Sequence, residues 1–217
     1  MEYTKIMYYF FIALFFGLGV WAVGSYLVIR SLEEPAYTVL EKKVGYEIRE
    51  YAPYIVAETK ATGTFSEATN QGFRNIADYI FGNNMTKESI AMTVPVLENQ
   101  NVLGSEKIAM TTPVLETADT NATRTIAFVL PSKYTLETLP IPNNPLVTLR
   151  EIPAQKVAVL TFTWYPTSAR TEKKKAELTN YLLRDNQTIT GQIQTARYNP
   201  PLSMPLTLRN EIIIPIQ

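Results

Sequence analysis

The 217 residues include no histidine and no cysteine, which removes the usual zinc ligands, the thiolate nucleophile and the commonest general base. Any chemistry or ligand recognition must then rest on carboxylates, tyrosines, methionines and aromatic rings. In Tyr46-Glu47-Ile48-Arg49-Glu50 a period of two places Glu50 on the face of Tyr46 and Ile48, and Glu151 shares a face with Val147 and Leu149 in the same way. Two carboxylates that end two apolar stripes could recognise a cationic apolar ligand or, beside a tyrosine, act as an acid and base pair. The competing reading makes them solvated strand ends, or partners of Arg49, Arg150 or Arg209. Phe73, Ile76 and Ile80 recur at helical spacing and, with Met92 and Met110, could form a flexible apolar wall for a flat ligand. The same stripe also describes a helix packed on a sheet. Trp164, Tyr165 and Tyr198 are large rings near predicted strand ends, able to stack on a ligand or to fill a core.

Lysine plus arginine equals aspartate plus glutamate at 20 each, so no overall field attracts nucleic acid. The run Lys173, Lys174, Lys175 reads as a solvated helix face. With 46% hydrophobic and 18% charged residues, the chain has enough apolar side chain for one sizeable core. Without cysteine there is neither a disulfide framework nor a covalent c-type haem attachment.

Between Lys5 and Arg30 lie 24 residues without a charge, a helix of about 36 Å against roughly 30 Å of hydrocarbon. Its apolar side chains favour insertion by roughly 4 to 8 kcal/mol. Tyr8, Tyr9 and Tyr26 stand where interfacial aromatics anchor a span. The division expected is a flank over 1–5, a transmembrane helix over 6–29, a linker over 30–36 and one domain over 37–217. A cleaved signal peptide, with Ala22 and Gly24 as the small-residue site, is the alternative, disfavoured by the long apolar stretch and the single Lys5. Arg30, Lys42, Lys43 and Arg49 outnumber Lys5 and the amino terminus, which predicts a single-pass protein with its domain on the cytoplasmic side.

The elements that must position the candidate residues come in two copies. The stretch from Ile48 to Ala57 recurs from Leu149 to Ala158, each reading as strand, proline-marked turn and strand, hence a hairpin. A helix follows each. The first is opened by Thr64 with Glu67 three residues on, a capping box, and is stopped at Gly82. The second spans Ser168 to Arg184, with Ala176, Leu178, Tyr181, Leu182 and Leu183 inward. Further strands are expected over 90–97, 126–130, 195–198 and 211–216. Two strand-strand-helix-strand units related by a pseudo-twofold predict an α+β fold, a distorted antiparallel barrel with two helices and a ligand cleft between the halves. Ser89 to Glu98 also recurs as Lys107 to Glu116, an added hairpin that presents Met92 and Met110 alike.

Lys107-Ile108-Ala109-Met110-Thr111-Thr112-Pro113-Val114, Phe128-Val129-Leu130-Pro131-Ser132 with Pro140 and Pro142, Tyr198-Asn199-Pro200-Pro201, Met204-Pro205 and Leu208-Arg209-Asn210-Glu211-Ile212 together resemble the SOUL haem-binding family over 37–217. The resemblance implies a duplicated barrel related to the effector-binding domains of multidrug-responsive regulators. It also implies reversible, non-covalent and non-catalytic binding of haem or another tetrapyrrole against an apolar face near the first helix. Where some relatives carry basic residues on that helix, this chain has Asn70, Asn75 and Asp78, and Arg74 is the cation left for a propionate. With no zinc site and no histidine, an axial ligand would be Tyr, Met or Lys, or absent. Three functions therefore stand side by side: a membrane-anchored tetrapyrrole or apolar-ligand binder, a hydrolase using a cleft Glu/Tyr pair, and a protein-interaction module without a small ligand.

Overall fold

The computed structural model describes residues 2–30, 32–86, 104–118, 123–200 and 203–217. The predicted strand over 90–97 and its Met92 lie outside the described residues. The chain opens with α1 (Glu2–Arg30), whose 23-residue apolar stretch Lys5–Leu27 is long enough to cross a membrane and is exposed along most of its length.

The first copy of the repeat contains β1 (Tyr37–Lys43), β2 (Tyr46–Tyr51), β3 (Tyr54–Thr62), α2 (Phe65–Ile80), the short β4 (Asn84–Met85), β5 (Val114–Ala118) and β6 (Thr123–Val129). The second contains the short β7 (Ile141–Pro142), β8 (Thr148–Ile152), β9 (Gln155–Phe162), α3 (Ser168–Arg184), β10 (Gln194–Arg197), a 3-10 turn at Pro205–Thr207 and β11 (Asn210–Pro215). β1 was not anticipated: it pairs with β2 through a tight turn in which Gly45 takes a φ of 96°, a backbone state that suits glycine. The predicted arm over 107–116 is a strand only from Val114 onwards.

Nine strands form one antiparallel sheet in the order β1-β2-β9-β11-β10-β5-β6-β3-β8. Leaving out β1, the order is symmetric about the β5–β10 pair, so the expected pseudo-twofold is present. The expected hairpins are not. β2 pairs with β9 and β3 with β8, so each copy lends its two strands to the other copy. The links between them, Ala52-Pro53 and Pro153-Ala154, lack the positive-φ residues that a two-residue hairpin turn requires. They turn corners instead. β2 and β3 stand second and eighth in the order, roughly 29 Å apart in a flat sheet at about 4.8 Å per strand. Two linking residues reach only about 11 Å, so the sheet is curled into a half-barrel.

Curling gives the sheet an inner and an outer face, and the central strands alternate between them. Ala127, Val129, Val157, Val159 and Ile213 point inward, while Ile126 and Phe128 meet α2, and Ala158, Leu160, Ile212 and Ile214 meet α3. α2 carries the capping box at Thr64 and Glu67, and α3 has the predicted bounds. The inward face of α3 is narrower than its sequence suggested. Leu178 and Leu182 are buried, Tyr181 is half-buried, and Ala176 and Leu183 are exposed.

The linker over 30–36 is part of the fold. Glu33 bridges to Thr111, its carboxylate accepts the Ser132 backbone N–H at 2.7 Å, and the Ala36 carbonyl accepts from Ala52.

Candidate functional site

The expected cleft between the halves is filled. Tyr51, Val56, Leu115, Val129, Val159, Tyr198 and Ile213 pack together on the inner face of the sheet. Period two along β11 places Glu211 on the same face as Ile213, and its carboxylate is fully buried. Arg49 donates to it at 3.1 and 3.2 Å, Arg209 at 3.0 and 3.1 Å, Thr161 at 3.2 Å and the Tyr198 hydroxyl at 2.6 Å. The chain of charges runs outward from there, Arg49 to Glu47 at 2.8 Å and Arg209 to Glu34 at 2.9 Å. Burial, then the nearby Glu211 carboxylate, hold the Tyr198 hydroxyl well above its ordinary pKa. Breaking such a buried set by removing one partner costs about 3–5 kcal/mol. Its role is to hold the closing strand and the strap at Glu34 to the sheet.

An open groove lies on the outer face, beside α2. Gly72 sets how closely this helix approaches, because a Cβ there would stand 2.5 Å from Ile126 Cγ1. Ala68, Gly72, Ile76, Tyr79 and Ile80 are buried in that contact. Phe73 is only half-buried, edge-on to Phe128 at 5.1 Å between ring centroids. Phe73 then forms one wall of a groove of about 330 Å³ with Val114, Ile126, Tyr165, Pro166, Ser203 and Leu208. The polar end is built by Arg197, Asn199 and Asn210. Arg197 and Arg124 share the buried Glu116 carboxylate at 2.8 and 3.0 Å, and both guanidinium groups lie over the Phe65 ring. Two cations against one anion leave that end net positive. Burial lowers the pKa of Arg197, and its Nε is buried with no hydrogen-bond partner among the described residues.

A second groove, of about 380 Å³, lies under the Glu33–Ala36 strap. It is lined by Tyr54, Tyr134, Glu33, Glu34, Glu137 and Glu151 among others. Burial pushes Tyr54 up to about 12 and Tyr134 above its usual value. Glu151 is exposed on this groove's wall. Glu50 is exposed elsewhere, opposite Lys156 in the β2–β9 register. The two carboxylates are therefore related by the pseudo-twofold but not brought together, and the carboxylate at the centre of the fold is Glu211.

The remaining expected residues are dispersed. Ile76 and Ile80 are core and line neither groove. Tyr198 is likewise buried, in the inner-face network. Met110 is 39% exposed and lines neither groove, although its neighbour Thr111 lines the one under the strap. Trp164 is exposed with a φ of 76° and holds Asn210 through its carbonyl oxygen. Arg74 is exposed on α2 next to Phe73 and makes no ion pair among the described residues. Sequence reading missed Arg197 and Leu208 as groove residues. Their strands were legible, but which residues flank α2 depends on strand pairings between distant segments.

No cluster of acidic, histidine or cysteine side chains able to hold a metal ion occurs among the described residues. The groove beside α2 does fit a tetrapyrrole in part: apolar walls for its face, the partly exposed Arg197 guanidinium for a carboxylate, and Tyr165 as a residue of a type that ligates haem iron.

The C-terminal domain of EcmrR is similar in fold, with a TM-score of 0.55 at 11% identity over 83% of this chain and 98% of that one. A hydrolase from Listeria innocua is similar with a TM-score of 0.50 at 11% identity, over 82% and 94% of the two chains. At such identity the likeness is one of fold alone. No curated protein sequence matches the chain. The family model of the SOUL heme-binding proteins matches residues 32–215, which takes in the strap at Glu33 as well as both copies of the repeat. The chain belongs to the SOUL heme-binding protein family.

Proposed function

We propose that this protein is a membrane-tethered binding domain that holds a tetrapyrrole, or another flat apolar ligand, in the groove beside α2 and does not turn it over. The Arg197 guanidinium at the end of the apolar groove carries the reading. Its side chain is one-quarter exposed, and a ligand carboxylate that reaches it gains a charge-assisted bond. Phe73, Val114, Ile126 and Leu208 give the apolar contact, and the volume falls within the range of small-molecule sites. Arg74 offers a second cation for a second carboxylate. Tyr165 is the candidate iron ligand. A bound haem would bring a redox-active iron and a strong visible chromophore. The chain's own residues bind and orient the ring.

A hydrolase-type reading would use Glu151 with Tyr54 or Tyr134 in the groove under the strap. Burial raises the pKa of both tyrosines, which makes their hydroxyls weaker proton donors than a free tyrosine beside Glu151. The exposed apolar surface of α1 supports the membrane tether, since a surface of that size needs lipid or a partner to cover it. The excess of Arg30, Lys42, Lys43 and Arg49 over Lys5 favours the cytoplasmic side for the domain.

The test is a titration of the full chain in lipid nanodiscs with haemin and with iron-free protoporphyrin, against empty nanodiscs. Saturable one-to-one binding with a shifted Soret band, weakened about tenfold in Phe73→Ala, is the expected result, equivalent to about 1.4 kcal/mol. Equal binding of protoporphyrin would mean that Tyr165 contributes no essential iron bond. If neither ligand binds saturably, tetrapyrrole binding by this protein is refuted.

A further inference from the structure

The apolar helix α1 does not stand clear of the domain. Ala22 is half-buried and Ser25 buried, one turn apart on the same face of the helix. The Ser25 Oγ accepts the backbone N–H of Met204 at 3.2 Å, immediately before the Pro205–Thr207 turn. The midpoint of the apolar stretch Lys5–Leu27 is Phe16. Ser25 lies nine residues further on, about 13–14 Å along the axis, against a hydrocarbon half-thickness of about 15 Å. The Met204 amide therefore meets α1 just inside the hydrocarbon boundary, where a backbone N–H needs an internal acceptor because water is scarce. Ser25 supplies that acceptor.

Two further observations agree. Leu206, the middle residue of the turn, is 63% exposed. The connection between α1 and the domain is too short for the domain to swing away. Arg30 ends the helix, and Glu33 is already bound to Thr111, Thr112 and Ser132, leaving two residues between them.

We propose that the Pro205–Thr207 turn is a second membrane contact: Leu206 inserts at the acyl boundary of the bilayer that α1 crosses, fixing the domain's attitude and setting the Ser203 edge of the groove at the lipid surface. The partner is the lipid bilayer itself. The inference rests on reading α1 as a membrane span, and the test separates the two.

Because the chain has no cysteine, a single introduced cysteine can carry an environment-sensitive fluorophore without background. Phe16→Cys, Leu206→Cys and Val44→Cys would each be labelled in the full chain reconstituted in phosphatidylcholine vesicles that contain nitroxide-bearing lipid. Val44 is 81% exposed at the far end of β1 and serves as the aqueous reference. The expected result is blue-shifted, strongly quenched emission at positions 16 and 206 and neither effect at 44. Quenching at 16 with position 206 behaving like 44 would overturn the membrane seat and leave the anchor intact. Unquenched emission at all three would overturn the anchor and the seat together. As a second measurement, Ser25→Cys with Met204→Cys should form a disulfide in oxidised vesicles, since the Ser25 side-chain oxygen lies 3.2 Å from the Met204 backbone nitrogen. A pair that stays reduced would count against the seat even if the Leu206 variant folds poorly.

Discussion

The two faces of the curled sheet have been put to opposite uses. On the inner face four residues donate hydrogen bonds to Glu211, and Tyr51, Tyr198 and the aliphatic side chains of β6, β9 and β11 fill the remaining space. On the outer face, beside α2, Phe73 stays half-exposed and Arg197 keeps a buried Nε without an acceptor. A duplicated fold would be expected to bind at its axis of symmetry, between the halves. Here that region is filled by its own ion pairs and apolar side chains, and the open groove lies to one side of it, against α2. Along α3, on its β9 side, Arg170, Lys173, Lys174 and Glu177 present a charged and solvated surface. The inner face therefore serves cohesion, and the groove beside α2 is left open on the outer face.

The largest effect that could break this contrast is at Glu211. Glu211→Ala leaves two arginines facing an apolar interior and is expected to lower the unfolding free energy by about 3–5 kcal/mol in urea denaturation. If stability were unchanged and ligand binding lost instead, the inner face would be the site. Gly72→Ala sharpens the contrast on the other face. The added Cβ clashes with Ile126, costing about 1–3 kcal/mol by overpacking against a gain of up to about 1 kcal/mol in helix propensity. A net loss of about 1 kcal/mol is expected, together with altered ligand affinity, because Ile126 also lines the groove.

The smallest effect belongs to the α3 side. Hydrogen bonds from Arg184 and then Tyr46 depress Asp185 to about 2. A depressed folded-state pKa gives stability that is fully present above the unfolded value near 4 and is lost as pH falls towards 2. Asp185→Asn should therefore flatten the acid limb of the stability profile in that window and leave the profile above pH 5 parallel to that of the parent. Ligand affinity at neutral pH should not change.

The sequence was most readable where the physics is local. Thr64 and Glu67 form a capping box because both partners lie within one helical turn, and the pattern from Ser168 to Arg184 marks α3 without outside help. The internal repeat implied the pseudo-twofold that the strand order displays. The repeat was misread at its corners, where Ala52-Pro53 and Pro153-Ala154 resemble turns in composition but lack a residue able to take positive φ. Along α2 the spacing of Phe73, Ile76 and Ile80 is equally helical. Only the packing of Ile126 and Phe128 from β6 separates the two buried isoleucines from the half-exposed ring.

By itself the sequence determined the elements, their caps, the apolar α1, the duplication and, through the absence of histidine and cysteine, the chemistry left open to the protein. These follow from side-chain type and spacing along a few turns of chain. The tertiary structure alone decided that each copy pairs its strands with the other, that Glu211 and not Glu50 or Glu151 is the central carboxylate, and that Arg197 lines an apolar groove beside α2. Each depends on segments about 30 to more than 150 residues apart in the chain meeting across the sheet, and no local pattern encodes which of them will meet.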